Sequence, residues 1–217
     1  MYHRRLEFTV TAGRLAAFEE GQATLGELRK KQDGFLGQAV LQSYGYPGRY
    51  AVTIRWENWE AADAFARSKA FRDMIDGNPR EGRGFAPSRP TEAYASVLDI
   101  SAGGFSGTTG GEYQCEVLAD WVIDRGPAGA ALFERVFAEL GELRKKHMQG
   151  FGSRRLRRSL GSPFKYLSID ICKDLDAALK AWEPAQLQRW AKDHPISEIT
   201  GIAPVVDTYR VVQRMTP

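Results

Sequence analysis

Leu25-Gly26-Glu27-Leu28-Arg29-Lys30-Lys31 recurs as Leu140-Gly141-Glu142-Leu143-Arg144-Lys145-Lys146. Seven identical residues at a spacing of 115 mark an internal duplication, and a duplication decides the fold before any single element does. Outward from this stretch the match continues after one inserted residue. Gly34-Phe35 corresponds to Gly150-Phe151, and Gly45, Pro47 and Tyr50 correspond to Gly161, Pro163 and Tyr166. Upstream, Ala17-Phe18 stands where Leu132-Phe133 stands, and near the ends Tyr94 and Val97 match Tyr209 and Val212. The copies are residues 1–100 and 112–217, and SAGGFSGTTGG (101–111) reads as a flexible linker because five glycines in eleven residues leave little to bury.

Each copy has one pattern. Arg5 to Ala12 alternates Leu6, Phe8 and Val10 with polar neighbours, which predicts a half-buried strand. Arg14 to Lys31 runs at helical spacing, and in the second copy Phe133, Val136, Phe137, Leu140 and Leu143 form one apolar stripe. Gly34 and Gly150 stand where a helix-terminating glycine is expected. Gln38–Ser43 and Tyr50–Trp56 read as strands joined by a turn at Tyr46-Pro47-Gly48. Asn58 and Asp174 are suited to cap the next helix, and Ala93–Ile100 or Thr208–Arg214 closes each copy as a strand. The order strand-helix-strand-strand-helix-strand predicts an α+β chain of two tandem ferredoxin-like units with antiparallel sheets. Each sheet has a bare apolar face that needs cover. The expectation is that the two faces pack together into one pseudo-dimeric α/β barrel.

Composition narrows the class. Of 217 residues 43% are hydrophobic and 26% charged, as in soluble globular proteins. No run approaches the ~18 apolar residues of a membrane helix, and the charged start MYHRRLEFTV predicts no secretory leader. Cys115 and Cys172 lie far apart outside any CxxC pair, which speaks against a disulfide scaffold or structural zinc and for a reducing cytoplasm. A net charge of +3 does not by itself imply nucleic acid. The charge is uneven, since Arg154, Arg155, Arg157 and Arg158 crowd into five positions. The run reads either as a solvated edge strand or as an anion site for a carboxylate-bearing ligand. It lacks the interleaved aromatics of a nucleic-acid surface. The glycine-rich stretch Gly77 to Pro90 reads as a long loop, either over a pocket mouth or as a surface excursion. No phosphate-binding loop, GxSxG elbow or HExxH is present.

A strand entering Gly-Phe-Leu-Gly (Gly34 to Gly37), a strand ending at Trp56, and a helix bearing Ser68 and Phe71 resemble the antibiotic biosynthesis monooxygenase family, of the dimeric α/β-barrel superfamily. The resemblance implies a pocket in each unit between sheet and helices, and a small hydrophobic or aromatic ligand. No membrane or nucleic-acid partner is implied, and the barrel is expected as a monomer or a further homodimer.

The heme-degrading branch of that superfamily uses an asparagine on the first strand, a tryptophan on the second helix, and a histidine four residues after an aromatic. In the first copy these slots hold Leu6, Phe65 and Ile75, so the resemblance implies no iron ligand there. In the second copy Trp182 falls near the tryptophan slot, His194 follows Trp190 by four residues, and Asp120 stands near the asparagine slot. The resemblance thus implies His194 as axial ligand to heme iron, Trp182 as the residue shaping the macrocycle, Asp120 as distal hydrogen-bonding group, and Arg154 and Arg157 as propionate partners. Pro184 and about two extra residues interrupt that helix. The residues by themselves read first as a surface histidine at His194 and as core or pocket-wall tryptophans at Trp182 and Trp190. Cys172, the counterpart of Trp56, reads as a smaller core residue. Two other functions stand beside a heme oxygenase: a cofactor-free oxygenase of aromatic substrates, with Tyr50 or Tyr166 among candidate groups, and a non-catalytic holder of a small hydrophobic molecule.

Overall fold

A computed structural model describes residues 1–76, 85–103, 105 and 113–217. The chain divides into two compact units, Met1–Ala93 with Val211–Pro217, and Tyr94–Arg210. No helix among the described residues is long and apolar enough to cross a membrane.

The first unit runs β1 (Tyr2–Val10), a 3-10 turn (Ala12–Arg14), α1 (Leu15–Lys30), β2 (Phe35–Ser43), β3 (Arg49–Trp56), α2 (Trp59–Arg67), α3 (Lys69–Asp76), β4 (Phe85–Pro87) and the start of β5 (Glu92–Ser101). β3 lies between β1 and β2, and all pairs are antiparallel, with Leu6 opposite Val52 and Val40 opposite Val52 from the other side. The stretch 77–90 contains a strand as well as loop: Phe85–Pro87 pairs with β1, Val10 opposite Phe85, while residues 77–84 lie outside the described residues. Residues 104 and 106–111 of the glycine-rich linker also lie outside them.

The second unit continues β5 and runs β6 (Cys115–Val122), α4 (Gly126–His147), β7 (Phe151–Ser159), β8 (Lys165–Cys172), α5 (Leu175–Leu179), a 3-10 turn (Lys180–Trp182), α6 (Ala185–Asp193), α7 (Ile196–Thr200) and β9 (Val205–Met215). Its antiparallel sheet has the order β5-β7-β8-β6-β9. β7 is therefore interior, and the reading of its arginines as an edge strand is corrected. Their charge is compatible with that position because each meets an acid: Arg154 meets Asp170 at 3.0 Å, Arg155 and Arg157 meet Asp99 at 3.7 and 2.6 Å, and Arg158 meets Glu134 at 3.6 Å.

The same local devices build both units. Gly34 and Gly150 have φ of +77° and +74°, a region other residues enter only at a cost. A Cβ at either would lie 2.8 Å from the Cβ of Ala61 or Ala177, in the first turns of α2 and α5. Those helices are capped by Asn58 and Asp174, whose side chains accept from the Ala61 and Ala177 amides at 2.9 and 2.8 Å. Sheet alternation sends Tyr166, Ser168, Asp170 and Cys172 of β8 toward α4. Leu167, Ile169 and Ile171 point to the opposite face and are 1–2% exposed, so that face is not left to water. In the first unit Tyr50, Val52, Ile54 and Trp56 share a core with Phe18 of α1 and Phe65 of α2, and Leu41 and Ala51 of the opposite face are also fully buried. The α+β class with antiparallel, ferredoxin-like units is what the sequence predicts.

Candidate functional site

The second unit holds a cavity of about 480 Å³ between its sheet and its helices. Three strands supply one wall: Val117, Ala119 and Trp121 from β6, Arg154 from β7, and Ser168, Asp170 and Cys172 from β8. Leu140 and Arg144 of α4, and Ala181 and Trp182 beside it, supply another. Leu179, Val206 and Trp182 line the cavity yet are 73%, 54% and 38% exposed, so its rim is apolar.

The polar groups of the wall are tied together. The Trp121 indole donates to Ser168 Oγ at 2.9 Å. Arg144 Nη1 donates to Asp170 Oδ2 at 2.6 Å, and Arg154 Nη1 reaches both Asp170 oxygens at 3.0 and 3.1 Å. Arg144 lies 4.7 Å over the Trp182 ring and Arg154 lies 3.7 Å over Phe137, so aromatic faces offset part of the desolvation of both cations. Burial still pulls the Arg154 guanidinium down to about 9; Asp170 pushes it back up and Arg144 pulls it down further.

Trp182 and Arg154 both line this cavity, and the other three candidate residues do not. Asp120 alternates with Ala119 and Trp121 along β6, opposite Leu167, and so points to the other face of the sheet. Arg157 also points there: it donates to the Leu98 and Leu156 carbonyls at 3.0 Å and to Asp99 at 2.6 Å. His194 caps the end of α6, its Nδ1 3.1 Å from the Trp190 carbonyl oxygen and its ring stacked on Trp190 at 4.8 Å. It lines a separate cleft of about 350 Å³ with Arg135, Glu139 and Glu198. The cause is Pro184, which cannot extend a helix from within: the chain restarts there as α6 and directs Trp190 into the core.

A heme needs an axial ligand at the pocket wall. The cavity lining contains no histidine. The Cys172 thiol is pushed up by burial, by Asp170 and by Cys115, and a protonated thiol is a poor ligand. Among the described residues no group of three His, Cys, Asp or Glu side chains could hold a metal ion. The residues present do not fit a heme held by His194 in this cavity. Tyr166 is also committed elsewhere, since its hydroxyl donates to Glu134 at 2.7 Å, as Tyr50 donates to Glu19 at 2.6 Å.

Sequence reasoning missed Arg144 and Asp170. The signal for Asp170 is an acid at a helix-facing position of the alternating strand KYLSIDIC. The signal for Arg144 lies inside the repeated heptapeptide, where Arg29 is its counterpart. Arg29 donates to Gln38 and lies 5.5 Å from the Phe65 ring centre, but Ile54 occupies the place of Asp170. Trp56, the counterpart of Cys172, fills the equivalent space there, 5.5 Å from Phe35 and 5.6 Å from Phe65 between ring centres. Replacing an indole by a thiol leaves room in the second unit at the place that Trp56 fills in the first.

Residues 1–77 match the antibiotic biosynthesis monooxygenase family. No curated protein matches the chain by sequence. Among solved structures, a protein of Fusobacterium nucleatum subsp. nucleatum named "Putative monooxygenase" superposes with a TM-score of 0.74 at 12% identity, covering 99% of this chain and 94% of its own. A Lactobacillus acidophilus protein, also named "putative monooxygenase", gives 0.69 at 10% identity over 99% and 95%. One named "anthrone oxidase-like protein" gives 0.68 at 15% identity over 99% and 93%. At such identities the likeness is one of fold. Residues 1–77 are thus similar to an antibiotic biosynthesis monooxygenase domain, and the α+β fold is shared along 99% of the chain with the Fusobacterium protein.

Proposed function

We propose that the chain is an oxygenase of the antibiotic biosynthesis monooxygenase type, that its working site is the cavity of the second unit, and that it oxidises a small electron-rich aromatic molecule there without heme. The observation that carries this reading is the cavity itself: ring-sized, apolar at the rim, and walled by Trp121 and Trp182 beside a buried cationic cluster. An electron-rich ring that enters as its anion, its proton already released to solvent, can pass an electron directly to dioxygen, which is reduced as the ring is oxidised. The protein then has to hold the ring, exclude water and steady negative charge. Trp121, Leu140 and Trp182 hold and shield the ring, and Arg144 and Arg154 steady the charge. The first unit, its equivalent space taken by Trp56, serves as the structural partner.

A second reading, a non-catalytic holder of a small hydrophobic molecule, is favoured by the lack of any plain proton acceptor in the lining: Asp170 is engaged by two arginines. Oxygen uptake separates the two. The full chain is assayed in an oxygen electrode with hydroxylated naphthalenes and anthrones, beside Cys172→Trp, which copies the first unit. Uptake by the wild type that is lost in Cys172→Trp is the expected result. If no panel member is consumed although naphthols bind, the holder stands and the oxygenase falls.

A further inference from the structure

One carboxylate in the cavity wall serves two guanidiniums. Asp170 is the only acid among the lining residues, whereas Arg144 and Arg154 are both there, so the wall carries one uncompensated positive charge. The charge is deep: Arg154 is 2% exposed, Arg144 6% and Asp170 8%. The Nε–H groups of both arginines are buried without a hydrogen-bond partner, although a buried donor left unsatisfied costs about 1–3 kcal/mol. Burial pulls Arg154 down to about 9 although Asp170 pushes it back up. Beside Ser168, Thr200 and Thr208, the rest of the wall is mostly apolar, with Leu140, Val117, Ala119 and two tryptophans. What would complete this wall is an anion.

We infer that the cavity selects an aromatic carboxylate, its head group received by Arg144 and Arg154 and its ring lying among Leu140, Trp121 and Trp182. The inference rests on the reading that this cavity is the working site, and it names the substrate class of that site. Arginine forks match the two oxygens of a carboxylate, and the apolar rim admits the ring. The neutral isostere of such a ligand would leave the excess charge unmet. Selection against it should be strong, because a built polar site rejects a ligand that cannot answer it.

The test is calorimetric titration of the full chain with 2-naphthoate and with 2-naphthalenemethanol, which differ in the charge of the head group. The acid is expected to bind at least ~10-fold more tightly. Arg144→Met leaves Arg154 and Asp170 as a balanced pair and should bring the ratio of acid to alcohol affinity to about one; Arg144→Lys should keep most of the preference. A wild-type ratio of one or less, no binding of either compound, or a preference that survives Arg144→Met overturns the inference. The wild-type ratio decides alone if a variant fails to fold. Binding heat is read independently of turnover. Acid preference with no oxygen uptake by any ring sinks the oxygenase reading and keeps this one. Turnover of neutral rings without acid preference does the reverse.

Discussion

Asp170→Asn isolates what the buried carboxylate does for the second unit. The amide keeps shape and volume and removes one negative charge. Arg144 and Arg154 bond the same oxygen of Asp170 at 2.6 and 3.0 Å, so the two donating nitrogens lie no more than about 5.6 Å apart. Two unit charges at that separation repel by about 3 kcal/mol at an effective dielectric of about 20. Removing one member of a buried ion pair costs about 3–5 kcal/mol in general, so the loss should be about 4 kcal/mol. For a chain of this length that corresponds to a fall in Tm of roughly 8–16 °C, read by calorimetry and by far-ultraviolet circular dichroism in urea. The double variant Asp170→Asn, Arg144→Met removes one of the two repelling cations and should recover about 2–3 kcal/mol. A single-variant loss under about 1 kcal/mol, or a double variant no more stable than the single, would refute the view that the trio is held by charge.

Three further outcomes follow from groups outside the trio. Burial, and then Glu134, raise the Tyr166 phenol from its usual 10 to about 12. Its contribution to stability is therefore complete below pH 10 and is lost as pH rises through 12. In absorbance titration at 295 nm, Tyr166→Phe should remove a late-ionising tyrosine; an unchanged limb above pH 11 would contradict this. Burial raises the Cys115 thiol to about 12 and raises Cys172 as well, so native protein at pH 8 should resist iodoacetamide while urea-unfolded protein takes up two equivalents; rapid native labelling would count against a closed core. Gly150→Ala places a Cβ 2.8 Å from Ala177 at a φ of +74° and should cost about 1–3 kcal/mol in urea denaturation; a loss below 0.5 kcal/mol would show that α5 can give way.

The parts of the fold that were legible are those set by short-range rules. The caps Asn58 and Asp174 and the period-two strands report local backbone demands and appear as the sequence predicts, while Gly34 and Gly150 take positive φ in the turns into β2 and β7, three and two residues past the helix caps Lys31 and Met148. The site was only half legible because it depends on which way a side chain turns. Asp120 and Arg157 were assigned by position along their strands, yet a strand sends neighbours to opposite faces. Ala119 and Arg154 therefore reach the cavity wall, and the two assigned residues do not. His194 is placed by its spacing from Trp190, and the interruption at Pro184 that the sequence shows resets the phase of all that follows. What identifies the cavity in the sequence is a contrast between the copies. Trp56 of the first copy corresponds to Cys172 of the second, Ile54 to Asp170, and Gln38 to Arg154. Each exchange in the second copy either shortens a side chain or adds charge: Trp56 and Ile54 are packing positions in the first copy, and Gln38 is a hydrogen-bonded one. In a duplicated fold a core position that gives up apolar volume for charge weakens its own unit. Ile54 to Asp170 is such a position, Trp56 to Cys172 opens volume beside it, and Gln38 to Arg154 adds the cation that pairs with Asp170. Changes that converge on one cavity are more simply explained by a ligand that restores the contacts than by independent drift.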